Sequence, residues 1–150
     1  MIIPLKVVNF RENEVICEIP LNPERRYNFL LHPPTYENKV IVSNDYGEFE
    51  MFNIKTTKKI FTFDALLKKR ISAVCQTPHL HVIGVGTEDG TFALLSLKSN
   101  EIVLKVTQAE TVTSAACRSD VPFVALGGTD GKVQVWDLEN MQLISQVRGF

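Results

Sequence analysis

The chain repeats one short pattern three times, in residues 44–53, 88–96 and 129–137. In each copy a turn glycine lies five residues before a large apolar residue and six before a small polar one: Gly47, Phe52 and Asn53; Gly90, Leu95 and Ser96; Gly131, Trp136 and Asp137. The large apolar residues are 43 and 41 residues apart. A repeat of this length suits one four-stranded blade of a β-propeller.

Short runs of β-branched and aromatic residues surround each turn glycine, and none of them keeps a helical spacing. The sequence therefore predicts an all-β chain with four-stranded blades over residues 21–64, 65–107 and 108–150. Extending the period backwards places the last two strands of an earlier blade in residues 1–20, with strands at 8–9 and 14–19. The predicted fold is a partial propeller of about three and a half blades.

A ring cannot close with three and a half blades, so a sheet face is left uncovered at each end. Either the chain is a piece of a longer propeller, or another chain covers its ends. Both ends cut through the repeat and neither has a polar capping unit, so a piece of a longer propeller is the expected arrangement.

Composition limits the partners of the chain. A formal charge of −1 gives no overall attraction to nucleic acid or to an anionic membrane, so such binding would need a local cluster. The apolar runs are too short to span a bilayer, and no membrane association is expected.

Three cysteines, Cys17, Cys75 and Cys117, form no Cys-x-x-Cys pair. Cys75 and Cys117 lie at the same place in successive repeats, where the preceding repeat has Leu31. We therefore expect them to be small buried residues, which suits a reducing compartment.

The last repeat carries Asp130-Gly131, followed by the strand 132–137 with Trp136 and Asp137. This pattern resembles the WD-repeat family, in which a turn aspartate precedes a third-strand tryptophan by six residues. Asp89-Gly90 keeps the same place relative to Leu95. The aspartate is expected to accept backbone hydrogen bonds, the glycine to supply a positive φ, and Trp136 to place one N–H donor between adjacent blades.

A closer resemblance lies in residues 32–40, 51–54 and 60–63, which read HPPTYENKV, MFNI and IFTF, and in Cys117-Arg118-Ser119-Asp120. These segments are similar to the family of tandem-propeller WD-repeat subunits of the UTP-B subcomplex of the small-subunit processome. The resemblance implies a non-catalytic nucleolar scaffold in ribosome biogenesis, with other WD-repeat subunits and pre-ribosomal RNA as candidate partners. The alternative is a WD-repeat adaptor in another pathway, such as trafficking or ubiquitin transfer.

The sequence offers no catalytic constellation, and no cofactor, metal or small-molecule substrate is expected. His79 and His81 have no carboxylate or cysteine cluster beside them. The glycines between residues 84 and 90 have the wrong spacing for a phosphate loop, and no helix pattern follows them.

Five cations lie in two predicted fourth-to-first-strand loops, namely Arg25, Arg26, Lys68, Lys69 and Arg70. Such loops of neighbouring blades share one face of a propeller, so the five are expected on the same rim. Two interpretations stay open: a rim that is solvated or meets an acidic protein, and a contact with RNA phosphates.

On the opposite face, His32 and Tyr36 belong to a first-to-second-strand loop that two prolines stiffen. A rigid loop with an exposed tyrosine would suit a partner contact. The equally favoured alternative is that the prolines only end a strand and Tyr36 packs against its own blade.

Overall fold

The computed structural model describes residues 4–34, 36–77, 79 and 81–148, and these form fourteen β-strands in four antiparallel sheets. A half-blade contains β1 (Pro4–Asn9) and β2 (Glu14–Pro20). The first blade contains β3 (Tyr27–Leu31), β4 (Lys39–Asn44), β5 (Phe49–Asn53) and β6 (Lys59–Phe63). The second contains β7 (Ile71–Gln76), β8 (Val82–Thr87), β9 (Thr91–Ser96) and β10 (Glu101–Thr107). The third contains β11 (Val112–Cys117), β12 (Phe123–Gly128), β13 (Lys132–Asp137) and β14 (Gln142–Arg148).

The predicted fold class is confirmed, because every full blade is a four-stranded meander in which neighbours in sequence are neighbours in the sheet. The largest departure in strand position is β1, which begins at Pro4, four residues earlier than the sequence predicts. Pro4 opens the strand opposite Pro20, a position where a missing N–H costs little. Within the described residues, no helix is long and apolar enough to cross a membrane.

The blades stack through their first strands, since β7 contacts both β3 and β11. Apolar side chains fill each interface between neighbouring sheets. Ile19 and Phe52 lie between the half-blade and the first blade, Phe49 and Ile83 between the first and second, and Phe92 and Val124 between the second and third. This packing fixes the loops at either end of each blade relative to the loops of its neighbours.

A β-bulge recurs in every fourth-strand position. The unpaired residue is Ile16 in β2, Ile60 in β6, Val103 in β10 and Ile144 in β14, and each is about half exposed. A bulge increases the local twist of the outermost strand, whose outer edge has no neighbour in its sheet. The same irregularity makes this edge a poor template for pairing with a further strand.

Candidate functional site

Each full blade has a tight turn between its second and third strands, built on a left-handed glycine. Gly47, Gly90 and Gly131 have φ of 81°, 88° and 77°. In the second blade, the Asp89 carboxylate accepts hydrogen bonds from the backbone N–H of Thr91 at 3.1 Å and from the Thr87 hydroxyl. Asp130 likewise accepts from the N–H of Lys132 at 3.1 Å, so both aspartates lie where the sequence places them.

The small polar residue six positions after each glycine begins the next hairpin. The side-chain oxygen of Asn53 accepts hydrogen bonds from the N–H groups of Lys55 and Thr56. Ser96 and Asp137 do the same in the other two blades. The polar position of the repeat therefore caps a turn. Its side-chain oxygen accepts backbone N–H groups of the turn and so favours the turn over continuation of the strand.

Trp136 departs from the sequence expectation in one respect. Its indole ring packs against the core between the second and third blades, as an anchor residue should. Its Nε1–H, however, donates to the side-chain oxygen of Gln134 at 3.1 Å, a residue of the same strand. The prediction that the indole N–H donates across to a neighbouring blade was wrong. Gln134 lies two positions away on the same sheet face, so its side-chain oxygen is close enough to accept the indole N–H.

Fourth-to-first-strand loops rest directly on the turns of the preceding blade. The N–H of Lys68 donates to the carbonyl of Tyr46 at 2.7 Å, and the N–H of Gln108 to the carbonyl of Gly90 at 2.9 Å. The first of these bonds holds the loop with Lys68, Lys69 and Arg70, and the N–H of Asp45, which donates to the carbonyl of Arg26 at 2.8 Å, holds the other cationic loop. We call this surface the charged rim, and it consists of Arg25, Arg26, Lys68, Lys69 and Arg70 with the carboxylates Asp45, Glu48, Glu88 and Asp89.

The rim alternates positive and negative charge. One of its cations, Arg25, stacks over the ring of Tyr46, with 4.5 Å between the guanidinium carbon and the ring centroid. Three of the cations form ion pairs with turn carboxylates: Arg25 with Glu48 at 3.5 Å, Lys69 with Asp89 at 2.9 Å, and Arg70 with Glu88 at 3.8 Å. Three of the five cations that the sequence predicts on one rim are therefore neutralised by neighbouring carboxylates.

The Lys69 ammonium and the Thr87 hydroxyl hold the pKa of the Asp89 carboxyl well below its ordinary value. Both favour the charged form, by opposite charge and by hydrogen bonding. Asp89 consequently stays ionised at any physiological pH and keeps the turn joined to the loop that bears Lys69.

Two of the predicted cations come together in a polar cavity of about 280 Å³ beside the first strands. Arg26 and Asp45 line one side of it, and Arg70 and Glu88 the other. Arg26 and Arg70 occupy equivalent places in two blades, so the repeat itself brings them to one opening. An opening with both charge signs favours a polar protein segment over a polyanion.

The opposite face has a second set of fixed side chains. The backbone of His32 leads into the proline loop, and its Nδ1 lies 2.7 Å from the carbonyl oxygen of Lys39. Tyr36 is half buried, and its hydroxyl lies 2.6 Å from Nδ1 of His81 in the second blade. Burial raises the pKa of the Tyr36 hydroxyl. Tyr36 therefore joins two blades, which neither of the sequence interpretations anticipated.

A buried polar network was not foreseen from the sequence. Glu50 is only 5% exposed, and its two carboxylate oxygens accept from the Tyr27 hydroxyl at 2.5 Å and from the Lys59 ammonium at 3.2 Å. Burial and the Glu50 carboxylate raise the pKa of Tyr27. The available clue was strand alternation, which places Glu50 on the same sheet face as the buried Phe52.

The described residues contain no group of three or more histidine, cysteine or acidic side chains placed to hold a metal ion. The geometry that the repeat produces is a set of rigid loops with alternating charge.

Comparison with known proteins decides the family. The family model described as the first β-propeller of WDR36/Utp21 matches residues 3–150. The chain belongs to the WDR36/Utp21 first β-propeller family. It is 34% identical over 121 residues to human WD repeat-containing protein 36, and 30% identical over 115 residues to the U3 small nucleolar RNA-associated protein 21 homolog of Schizosaccharomyces pombe. These alignments cover 79% and 76% of this chain and 13% of each relative.

Solved structures support the same architecture. A chain in the crystal structure of the mitotic checkpoint complex superposes with a TM-score of 0.81 over 97% of this chain and 44% of that chain. The two sequences are 18% identical, so this likeness concerns the fold alone.

Proposed function

We propose that this propeller segment belongs to a non-catalytic scaffold of ribosome biogenesis, which works in the nucleolus within the small-subunit processome. The observation that carries the proposal is the family match over residues 3–150, together with a relative named for its association with U3 small nucleolar RNA. A propeller contributes to such an assembly by holding loops at fixed positions, and its chemistry lies only in sites added to those loops.

We propose the charged rim as the docking surface, with other WD-repeat subunits as its partners. Its loops are fixed by backbone hydrogen bonds, so little conformational entropy is lost on binding. Its alternating charges favour a protein surface with a complementary pattern, because such a pattern sets orientation and excludes wrong partners. Pre-ribosomal RNA is the competing partner, and it would use the exposed Lys68 beside Arg26 and Arg70.

The first experiment is affinity purification of the full-length protein, tagged at its own locus, with and without RNase. Recovery of processome propeller subunits after RNase treatment would support a scaffold held by protein contacts. Recovery of an unrelated trafficking or ubiquitin-transfer complex would overturn the ribosome-biogenesis proposal and leave the propeller assignment intact.

The second experiment compares a rim variant, Lys68→Ala with Arg70→Ala, with a control variant, Lys55→Ala with Lys58→Ala. Both variants remove two exposed cations, and the control pair lies in the hairpin between β5 and β6. We expect subunit recovery to fall with the rim variant and to be unchanged with the control. Photocrosslinks from residues 68–70 to RNA, lost in the rim variant while subunit recovery is unchanged, would assign the rim to RNA.

A further inference from the structure

Two cysteines of neighbouring blades face each other across a blade interface. Cys75 in β7 and Cys117 in β11 occupy equivalent places in the first strands, and their sulfur atoms are 3.4 Å apart. The sequence predicted two separate buried residues. Their proximity arises because β7 and β11 pack against each other around the propeller axis.

The two sulfurs differ in access. Cys75 is buried, and it packs so closely on Gly84 that a Cβ at that glycine would lie 2.6 Å from its sulfur. Cys117 is half buried and lines two neighbouring cavities of about 610 and 390 Å³. A small molecule can therefore approach Cys117 from solvent, whereas Cys75 lies behind it.

The hydrogen bond between the two thiols also affects their pKa values, in opposite directions. Either sulfur can donate this hydrogen bond, and with Cys75 as the donor the bond favours the thiolate of Cys117 and lowers its pKa. The same bond and burial raise the pKa of Cys75. Since the thiolate is the nucleophilic form, the accessible sulfur is also the more reactive one.

We propose that Cys75 and Cys117 form a hydroperoxide-responsive pair, in which oxidation of Cys117 leads to a disulfide that joins the second and third blades. This inference does not depend on the proposed function. It assigns a modification site, with a hydroperoxide as the oxidant and Cys75 as the resolving thiol.

The reaction balances in two steps. The Cys117 thiolate attacks one peroxide oxygen, the O–O bond breaks, and the products are a sulfenic acid on Cys117 and, after protonation, water or an alcohol. The Cys75 sulfur then attacks the Cys117 sulfur, an S–S bond forms, the S–O bond breaks, and hydroxide leaves with the Cys75 proton as water. The two thiols lose two electrons in total, and the peroxide oxygens accept them.

Bond formation needs only a short movement. A disulfide is about 2.05 Å long, so the two sulfurs must approach by a little over an ångström. Thiol reductants of the cytosol and nucleus would reverse the bond, which suits a transient modification more than a structural disulfide.

Cys17 provides an internal control. It is half buried like Cys117, but its sulfur lies 3.2 Å from the carbonyl oxygen of Ile54, a group that cannot resolve a sulfenic acid. After trypsin cleavage the three cysteines fall in separate peptides, residues 12–25, 71–98 and 106–118.

The test treats the reduced full-length protein with increasing hydrogen peroxide, blocks remaining thiols with an alkylating reagent, and analyses a non-reduced tryptic digest by mass spectrometry. We expect peptides 71–98 and 106–118 to appear joined, lighter by two hydrogen atoms than their sum, at a dose that leaves Cys17 alkylated. Dithiothreitol should separate them.

The wild-type digest decides the proposal without any variant. Conversion of Cys117 to sulfinic acid while Cys75 stays alkylatable would overturn it, as would oxidation of Cys17 at doses that leave both other thiols free. As a second readout, peroxide should raise the Tm of the wild-type protein by several degrees, because the cross-link restricts the unfolded chain. Cys75→Ser and Cys117→Ser should each abolish that rise.

Discussion

At the scale of single residues, turn glycines do two different things in this chain. All three supply a positive φ, but Gly47 and Gly90 also lie beneath the loop that enters the following blade. A Cβ at Gly90 would press on the backbone carbonyl of Gln108 and lie 2.9 Å from that of Glu110, whereas a Cβ at Gly131 would meet nothing within 4 Å. A glycine-to-alanine substitution should therefore lower the free energy of unfolding by different amounts at Gly90 and at Gly131.

In the 150-residue chain, Gly131→Ala should lower the free energy of unfolding by about 1 kcal/mol, the penalty for a side chain in the left-handed region. Gly90→Ala should cost about 3 kcal/mol or more, since the loop at residues 108–110 must also move. Urea unfolding of both variants beside the parent measures the difference. An equal fall in the free energy of unfolding for both variants would show that the contact between Gly90 and the loop does not restrict a side chain there.

The Lys69–Asp89 pair gives the turn a pH dependence. The pKa of Asp89 is lowered in the folded state, so its contribution to stability is fully present above the unfolded pKa of about 4. That contribution is lost as the pH falls from there towards the folded pKa. Both side chains are about half exposed, so the contribution is no more than about 1 kcal/mol.

Asp89→Asn should accordingly lower the Tm at pH 7, and the gap between variant and parent should narrow as the pH falls below about 4. Thermal unfolding at pH 7, 5 and 3 measures that gap. A gap that stays constant across the three values would rule out ionisation of Asp89 as its cause.

At the scale of elements, the buried polar network joins strands within the first blade. Tyr27 in β3 reaches across to Glu50 in β5, and Lys59 in β6 supplies the second partner. The network satisfies both oxygens of a buried carboxylate, on the sheet face whose Phe52 packs against the half-blade. It ties three of the four strands together independently of the backbone ladder.

Tyr27→Phe should destabilise the fold by about 1–3 kcal/mol, because one oxygen of the buried Glu50 loses its donor. Tyr46→Phe is the matched control, since that ring is exposed and contacts Arg25 through its face. We expect the control to stay within about 0.5 kcal/mol of the parent in urea unfolding. A loss of the same size in both variants would argue against the network.

At the scale of the whole molecule, the outer face of the third blade carries apolar side chains. Val133 and its cross-strand partner Val147 point away from the second blade and are 44% and 62% exposed. Neighbouring blades bury the equivalent face elsewhere in the fold. The 150-residue chain in isolation should therefore associate with itself through this flank.

Val147→Lys should shift the isolated chain towards monomer, because a charge on the flank opposes its burial. Ile60→Lys should not, although Ile60 is 47% exposed, because it lies on the outer edge of the first blade. Sedimentation velocity over a range of concentrations distinguishes the two. A parent chain that is monomeric at every concentration would contradict the expectation.

The sequence alone determined the strands, the turns and the order of the sheets. These follow from local features: alternation of apolar residues, a glycine at positive φ, and a polar cap for each hairpin. Each acts over fewer than ten residues and recurs with the repeat, so the period of the pattern was enough to predict the propeller.

Only the tertiary structure decided which side chains meet. The pairing of rim cations with carboxylates, the contact of Tyr36 with His81, and the approach of Cys75 to Cys117 join residues 18 to 45 positions apart. The rim pairs join a loop to the turn of the blade that the loop enters, whereas the other two contacts depend on how one blade packs against the next. That packing is set by the interdigitated apolar cores between blades, which no local sequence pattern specifies.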